Sequence, residues 1–125
     1  MSFEIEQGKV FVKCDIRPFA QQILEKLSKV FEIGVFTAGR EPYATAMLNH
    51  LDPQNKLFAF RLFRQHCHPY FHTQGADSLN VKDLRIIKNR NLKKVILIDN
   101  SAHTYLFQPE NAIPIFSYYG DKEDT

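Results

Sequence analysis

Two largely apolar runs constrain the fold of this chain more than any other feature: "FEIGVFT", ending at Thr37, and "KKVILID", ending at Asp99. Strands buried on both faces of a parallel sheet have such continuous apolar sequences, whereas strands with one exposed face alternate. Between the runs, "EPYATAMLNHLDP" has the apolar spacing of a helix that stops before Pro53. Strand, helix and strand in this order predict an α/β fold, a parallel sheet flanked by helices.

The remaining segments fit around this sheet. A β-hairpin is predicted at "FEIEQGKVFVK", and a helix at "RPFAQQILEKLSK" with Pro18 in its first turn. "KLFAFRLFR" predicts a further strand or hairpin arm, and "AIPIFSY" a third buried strand that Pro114 confines towards an edge. Residues 65–80 have no period and contain proline, glycine and three histidines, so we expect a long irregular loop there. "VKDLRII" predicts a short helical turn.

The composition fits one domain, because 125 residues with 44% apolar content can form a core. The 16 basic and 14 acidic residues are well mixed, which argues against a nucleic-acid partner. No apolar run approaches the roughly 18 residues that a membrane helix needs, and the first residues lack a signal-peptide core. The 2 cysteines fit a reducing compartment. We expect an intracellular protein in the nucleus or cytoplasm, with the mitochondrion as an alternative.

Five polar residues are candidates for a phosphoryl site. A hydroxyl, a guanidinium and an ammonium suit a tetrahedral dianion, and a carboxylate beside a carboxamide supplies oxygen ligands for Mg²⁺. In parallel sheets, ligands bind outside the carboxyl ends of the strands, where two of these residues lie. Each has a simpler alternative: a hydroxyl bonded to backbone, a surface ion pair, a solvated lysine, or the cap of a helical turn. The candidates are Thr37, Arg64, Lys82, Asp99 and Asn100.

Five blocks of the sequence, in their order and spacing, resemble a known family: "VFTAGREPYA", "LDPQNKLFAFRLFRQHC", "VKDL", "VILIDNS" and "QPENAIPIFSYYGDKEDT". They are similar to the NLI-interacting-factor-like phosphatases, which include the small C-terminal-domain phosphatases of the haloacid dehalogenase superfamily. The resemblance covers essentially the whole chain. It implies a haloacid-dehalogenase-like parallel sheet with a small β-hairpin insertion. It also implies magnesium-dependent hydrolysis of phosphoserine or phosphothreonine in proteins, through an aspartyl-phosphate intermediate.

The resemblance also implies roles for individual residues. Thr37 would bind the transferring phosphoryl group, and Lys82 would neutralise charge on that group. Asp99-Asn100 would be the metal-binding pair, and Arg64 would lie near the substrate phosphate. These are expectations from the family, and each applies only at the position that matches its motif.

The family's first motif, a strand that ends in Asp-x-Asp-x-Thr, is not found here, since the sequence contains no Asp-x-Asp. Its first aspartate would attack phosphorus, and its second would act as general acid and base. Asp15 is not a replacement, because it precedes a helix rather than ending a buried strand. We therefore expect a single phosphatase-like domain, residues 1–125, truncated at both ends relative to the family. Such a chain should be inactive alone and bind Mg²⁺ weakly or not at all.

The missing first strand is expected to lie centrally, between the strands that end at Thr37 and Asp99. Its absence would leave two sheet edges with unpaired backbone groups. Three explanations remain open: a second chain supplies the strand, the hairpin refolds into its place, or the sequence belongs to a longer protein.

Two rival functions remain open. A binding module without catalysis, similar to the presequence-translocase receptor, would keep the fold and lose the nucleophile. A zinc site in "HCHPYFH" has suitable residue types in His66, Cys67, His68 and His72. Its spacing is poor, because adjacent ligands do not easily converge on one tetrahedron.

Overall fold

The computed structural model of the protein describes residues 2–7, 10–71 and 78–124. Strand β1 (Ser2–Gln7) pairs antiparallel with β2 (Val10–Asp15), which confirms the predicted hairpin. Gly8, in its predicted turn, lies outside the described residues. Ile5 and Cys14 are buried, so one face of the hairpin contributes to the interior.

Two helices follow the hairpin. Helix α1 (Ala20–Leu27) begins after Phe19, whose φ of 66° places it in the left-handed region, so the helix is shorter than predicted and excludes Pro18. None of its residues is buried. Helix α2 (Glu41–Leu51) has proline in its first turn and ends before Pro53, as predicted.

Strand β3 (Ile33–Phe36) lies between the helices and pairs in parallel with β4 (Phe58–Leu62). Parallel pairing excludes the hairpin arm that the sequence left open for this segment. Helix α2 covers the pair through Ala44 and Leu48, which pack with Phe63 in the hydrophobic core. The predicted parallel strand is therefore present, although its side chains are only partly buried.

The predicted irregular loop at residues 65–80 is wrong. This segment contains β5 (His68–Phe71) and β6 (Ser78–Val81), which pair antiparallel as a second hairpin. Val81 is completely buried and holds β6 against the interior, whereas all four residues of β5 are exposed. Each strand has only four residues, too few for a clear period in the sequence.

The second parallel pair consists of β7 (Leu97–Asp99) and β8 (Ala112–Pro114). Both strands were predicted, but β7 is shorter than its apolar run: Leu92–Lys94 forms a 3-10 turn, and Val95 and Ile96 precede the strand. Burial of β7 on both faces is also wrong: Ile98 is 56% exposed and the preceding Ile96 is 62% exposed.

The single parallel sheet predicted from the apolar runs is divided into separate two-stranded sheets. Within the described residues, β3 is hydrogen-bonded only to β4, and β7 only to β8. No described strand joins the free edges of β3 and β7, so the two parallel pairs are not connected by backbone hydrogen bonds. In the described part of the chain, no helix is long and apolar enough to cross a membrane.

Candidate active site

A cleft of about 330 Å³ lies between the ends of the two parallel pairs. It is bounded by Phe36, the last residue of β3, and by Ile98 and Asp99 of β7. Asn100 and Lys82 complete its polar wall. The carboxyl ends of parallel strands are where α/β proteins bind ligands, so the cleft is in the expected part of the fold.

Lys82 and Asp99 form an ion pair at the base of this cleft, through Lys82 Nζ and Asp99 Oδ2. The two side chains are only 10% and 6% exposed. The alternative of a solvated lysine is therefore wrong. An ammonium with so little contact with water interacts more strongly with an anion than an exposed one does, because the local dielectric constant is lower than that of water.

A hydrogen-bonded frame fixes the position of Lys82. Its backbone N–H donates to the Thr104 carbonyl at 2.7 Å, and the next residue, Asp83, accepts from Gln108 Nε2 at 2.9 Å. Gln108 Oε1 in turn accepts the Leu84 N–H. Hydrogen bonds from Arg85 and Gln108 hold the pKa of Asp83 far below its usual range, so it stays ionised. The predicted helical turn here is a 3-10 turn, Leu84–Ile86.

Asp99 has two partners. Its Oδ1 accepts the Ser101 N–H at 3.0 Å, while Oδ2 contacts Lys82. It therefore supports the turn that follows, as the simpler alternative proposed, and also faces the cleft. Asn100 is exposed and donates from Nδ2 to Ser117 Oγ at 2.9 Å, which directs its amide nitrogen towards the C-terminal segment.

Thr37 and Arg64 flank the cleft rather than line it. The Thr37 hydroxyl accepts the Gly39 N–H at 3.0 Å, which agrees with the simpler alternative of a hydroxyl bonded to backbone. Arg64 is exposed and donates from Nε to the Ala38 carbonyl at 2.6 Å. Arg64 therefore stabilises the loop after β3. Its simpler alternative, a surface ion pair, is not the contact that it makes.

Cys67 is buried, and its thiol lies against the backbone at the end of β3. Its Sγ is 3.9 Å from the Thr37 carbonyl oxygen. Burial raises the pKa of the Cys67 thiol; Lys82 and Arg64 oppose this rise through their positive charges, and Asp99 adds to it. The charges of three predicted site residues, Lys82, Arg64 and Asp99, therefore act on one buried thiol.

Mg²⁺ does not fit the donors present. Asp99 is the one carboxylate among the residues that line the cleft, and Lys82 already neutralises its charge. The described residues contain no cluster of three His, Cys, Asp or Glu side chains that could hold a metal ion. Since Mg²⁺ needs several oxygen ligands in an octahedral arrangement, this state of the chain offers too few.

The proposed zinc site finds no support in the described residues. His66 Nδ1 accepts the Phe63 N–H at 2.9 Å, so this nitrogen is engaged. His68 packs edge-on against Phe107, with ring centroids 5.3 Å apart. His72 lies outside the described residues.

Several residues that line the cleft were not among the candidates from the sequence. Arg17 lines it from the segment before α1, and Ser117 from the segment after β8. Arg17 is the first residue of the segment predicted as a helix, and Ser117 lies in the last block that resembles the family, but neither position was assigned a chemical role. Only the return of the C-terminal segment to the cleft brings them near Asp99.

Comparison with known proteins assigns the family. The family model described as NLI interacting factor-like phosphatase matches residues 1–125. This chain belongs to that family. The family assignment made from the sequence blocks is thus confirmed, and the fold is of the corresponding α/β type.

Relatives of this NLI interacting factor-like chain include named phosphatases. CTD small phosphatase-like protein 2 of Dictyostelium discoideum is 40% identical over 98% of this chain and 20% of its own length. Human carboxy-terminal domain RNA polymerase II polypeptide A small phosphatase 2 is 39% identical over 87% of this chain and 37% of its own length. Among solved structures, fission yeast RNA polymerase II CTD phosphatase Fcp1, bound to beryllium fluoride, has a TM-score of 0.74 and 26% identity. The match covers 94% of this chain and 31% of the Fcp1 chain. The chain thus spans well under half the length of these relatives.

Proposed function

We propose that this chain is the phosphoryl-binding part of a phosphatase domain that acts on phosphoserine or phosphothreonine in proteins. One observation carries the proposal: the buried Lys82–Asp99 pair faces the cleft between the carboxyl ends of β3 and β7. Relatives named for the C-terminal domain of RNA polymerase II make a phosphorylated protein tail of that kind the first substrate to test, and favour a nuclear location.

In this proposal, Lys82 is the principal charge that binds the phosphoryl group. Its ammonium has three donors and gives only part of this capacity to Asp99. The Thr37 hydroxyl already accepts the Gly39 N–H, which leaves its single O–H to donate to a phosphoryl oxygen. Arg64, in the turn after β4, would exchange its bond to the Ala38 carbonyl for one to the substrate.

The sequence contains no Asp-x-Asp, so in this proposal another segment supplies the attacking group. We infer that a strand ending in Asp-x-Asp-x-Thr pairs with the free edges of β3 and β7, either from the same longer polypeptide or from a second chain. The unpaired edges support this inference, since an added strand would satisfy their backbone groups. The first carboxylate of the added strand would form a bond to phosphorus as the bond between phosphorus and the serine or threonine oxygen breaks. The second would protonate that oxygen, and water would then hydrolyse the acyl phosphate.

The experiment is a complementation assay. Release of inorganic phosphate from a phosphoserine peptide is measured for the chain alone and with a synthetic peptide of apolar residues followed by Asp-x-Asp-x-Thr, both with Mg²⁺ present. The chain alone should show no turnover. The peptide should produce saturable turnover, and a matched peptide with Asn at the first Asp should bind without producing it.

Turnover by the lone chain would show that its nucleophile lies elsewhere. Turnover that persists in Lys82→Met would remove Lys82 from the phosphoryl site. Because Lys82 is buried, this variant is compared with the wild-type chain by circular dichroism, and Lys82→Arg, which keeps the charge, serves as the second variant.

A catalytically inactive binding module is the second candidate, and the free edges of β3 and β7 favour it. An exposed strand edge binds an extended segment through backbone hydrogen bonds without any chemistry. This candidate predicts that the Asn-containing peptide and the Asp-containing peptide bind equally well and that neither supports phosphate release.

A further inference from the structure

Arg17 is held by the C-terminal segment through three hydrogen bonds. Its Nε and Nη2 contact the two carboxylate oxygens of Asp124, the latter at 3.0 Å, and its Nη1 donates to the Phe116 carbonyl at 2.7 Å. The Arg17 and Asp124 side chains are 26% and 24% exposed. The guanidinium therefore makes the paired contact that suits a planar oxyanion, and water still reaches it.

Arg17 belongs to the same cleft as the phosphoryl candidates. It lines that cleft together with Lys82 and Asp99. Both cations of the cleft are paired with a carboxylate of the chain itself: Lys82 with Asp99, and Arg17 with Asp124. Any anion that enters must compete with these internal partners.

The backbone directs Asp124 to this contact. Gly120 has a φ of +93°, a conformation that other residues rarely adopt, and it allows the chain to turn back. The Asp121 side chain then accepts the Glu123 N–H at 2.9 Å, and the Asp121 carbonyl accepts the Asp124 N–H at 3.2 Å. This turn holds an acidic segment at the mouth of a cleft that contains two cations.

We propose that Arg17 is a further anion-binding side chain of this cleft and that Asp124 occupies it as an internal competitor. The inference rests on the proposed function, whose phosphoryl site it extends. The ligand that displaces Asp124 is an oxyanion: either the phosphoryl group itself or a carboxylate beside the phosphorylated residue of a peptide. A partly exposed ion pair can be exchanged at low cost, because water and salt already screen it.

The test compares Asp124→Asn with the matched variant Glu123→Gln. Both remove one negative charge from the same turn, but only Asp124 contacts Arg17. Calorimetry measures the affinity for inorganic phosphate and for two phosphoserine peptides, with Glu or Ala after the phosphoserine. Asp124→Asn should bind about two- to five-fold more tightly, the range of a partly exposed ion pair. Glu123→Gln should match the wild-type chain.

The three probes distinguish the two sources of the oxyanion. If Arg17 meets the phosphoryl group, Asp124→Asn gains affinity for all three probes. If it meets a neighbouring carboxylate, the gain is confined to the Glu-containing peptide. In both cases Arg17→Gln should weaken binding, and the gain should vanish in the chain that carries both substitutions.

Equal affinities of Asp124→Asn, Glu123→Gln and the wild-type chain for every probe would overturn the proposal. Thermal unfolding of each variant verifies the fold, and Asp124→Ser serves as a second variant. Lys82→Met separates this failure from failure of the proposed function: if it abolishes phosphate binding while Asp124→Asn changes nothing, the phosphoryl site stands and the competitor role falls. If Lys82→Met has no effect, the phosphoryl site is wrong, whatever Asp124→Asn shows.

Discussion

Removal of the ammonium in Lys82→Met should destabilise the fold, because the Asp99 carboxylate would remain buried without its counterion. Two unit charges at about 3 Å, in an effective dielectric constant of about 20, attract by about 5 kcal/mol. The cleft beside the pair admits water, and the Ser101 N–H still donates to Asp99, so part of this loss is recovered. We expect a net cost of about 2–4 kcal/mol, near the lower end for broken buried pairs.

Urea unfolding followed by circular dichroism measures this cost. For a small domain, about 2–4 kcal/mol corresponds to a fall of roughly 2 M in the urea midpoint. The chain with both Lys82→Met and Asp99→Asn should recover most of the stability, because the charge left behind is also removed. Arg90→Gln is the control, since its ion pair with Glu32 is 39% and 48% exposed, and it should not move the midpoint.

The double-substitution cycle gives the result that would refute this reasoning. A single-variant cost below about 0.5 kcal/mol, with no coupling between the two positions, is what a water-screened surface contact gives. That result would mean that Lys82 is not a buried cation, and the argument for its role in binding a phosphoryl group would lose its physical basis.

Other substitutions test different parts of the structure. Asp52 is buried and accepts three backbone N–H groups, of residues 56–58, at 2.8, 3.0 and 3.3 Å, so Asp52→Asn should cost about 1–3 kcal/mol in urea unfolding. Burial alone would raise the pKa of Asp52, but these donors lower it. The contribution of Asp52 to stability is therefore complete above the ordinary pKa of about 4 and is lost as pH falls through the lower pKa of the folded state. The Asp52→Asn variant should not show this loss of stability. Parallel curves of stability against pH for the two proteins would contradict the assignment. Gly34→Ala should cost about 1–3 kcal/mol, because a Cβ there would lie 2.1 Å from Phe60 Cζ, and adding Phe60→Leu should restore stability; an unchanged midpoint for Gly34→Ala would show that the ring moves freely. Millimolar Mg²⁺ added to the chain alone should leave the amide NMR signal of Asn100 in place, and saturable shifts without added peptide would show that the donors present suffice.

Much of the fold could be predicted from local patterns. Helix α2 was recognisable because a proline after an acid begins it, and apolar residues at helical spacing form the stripe that contains Ala44 and Leu48. The first hairpin was recognisable from alternation. Both features depend on residues close in sequence, so the sequence of this one chain carries enough information to predict them.

The division of the parallel sheet could not be predicted from periodicity. The run at "KKVILID" has the composition of a buried strand, but burial depends on what lies on either side of it. Ile96 and Ile98 lie on one side of this segment, and their exposure shows that no described element covers that side. A sequence pattern indicates the environment for which a strand is suited. Which elements surround the strand depends on the tertiary structure.

The candidate site was predicted in part. Asp99 and Thr37 were recognisable as polar residues at the ends of apolar runs. Lys82 was a candidate because an ammonium suits a dianion, and its role followed from the resemblance to the family. Arg17 gave no signal, because its place in the cleft depends on a partner 107 positions away in the chain. Contacts of this length are set by the fold, and no local rule identifies them.

Phosphate titration of the ¹⁵N-labelled chain, followed by NMR, tests the central claim most directly. The account predicts saturable shifts at the amides of Thr37, Lys82 and Asn100, which disappear in Lys82→Met while Arg90→Gln retains them. Shifts confined to other surfaces, or shifts that Lys82→Met leaves unchanged, would contradict the claim that these residues form one phosphoryl-binding site.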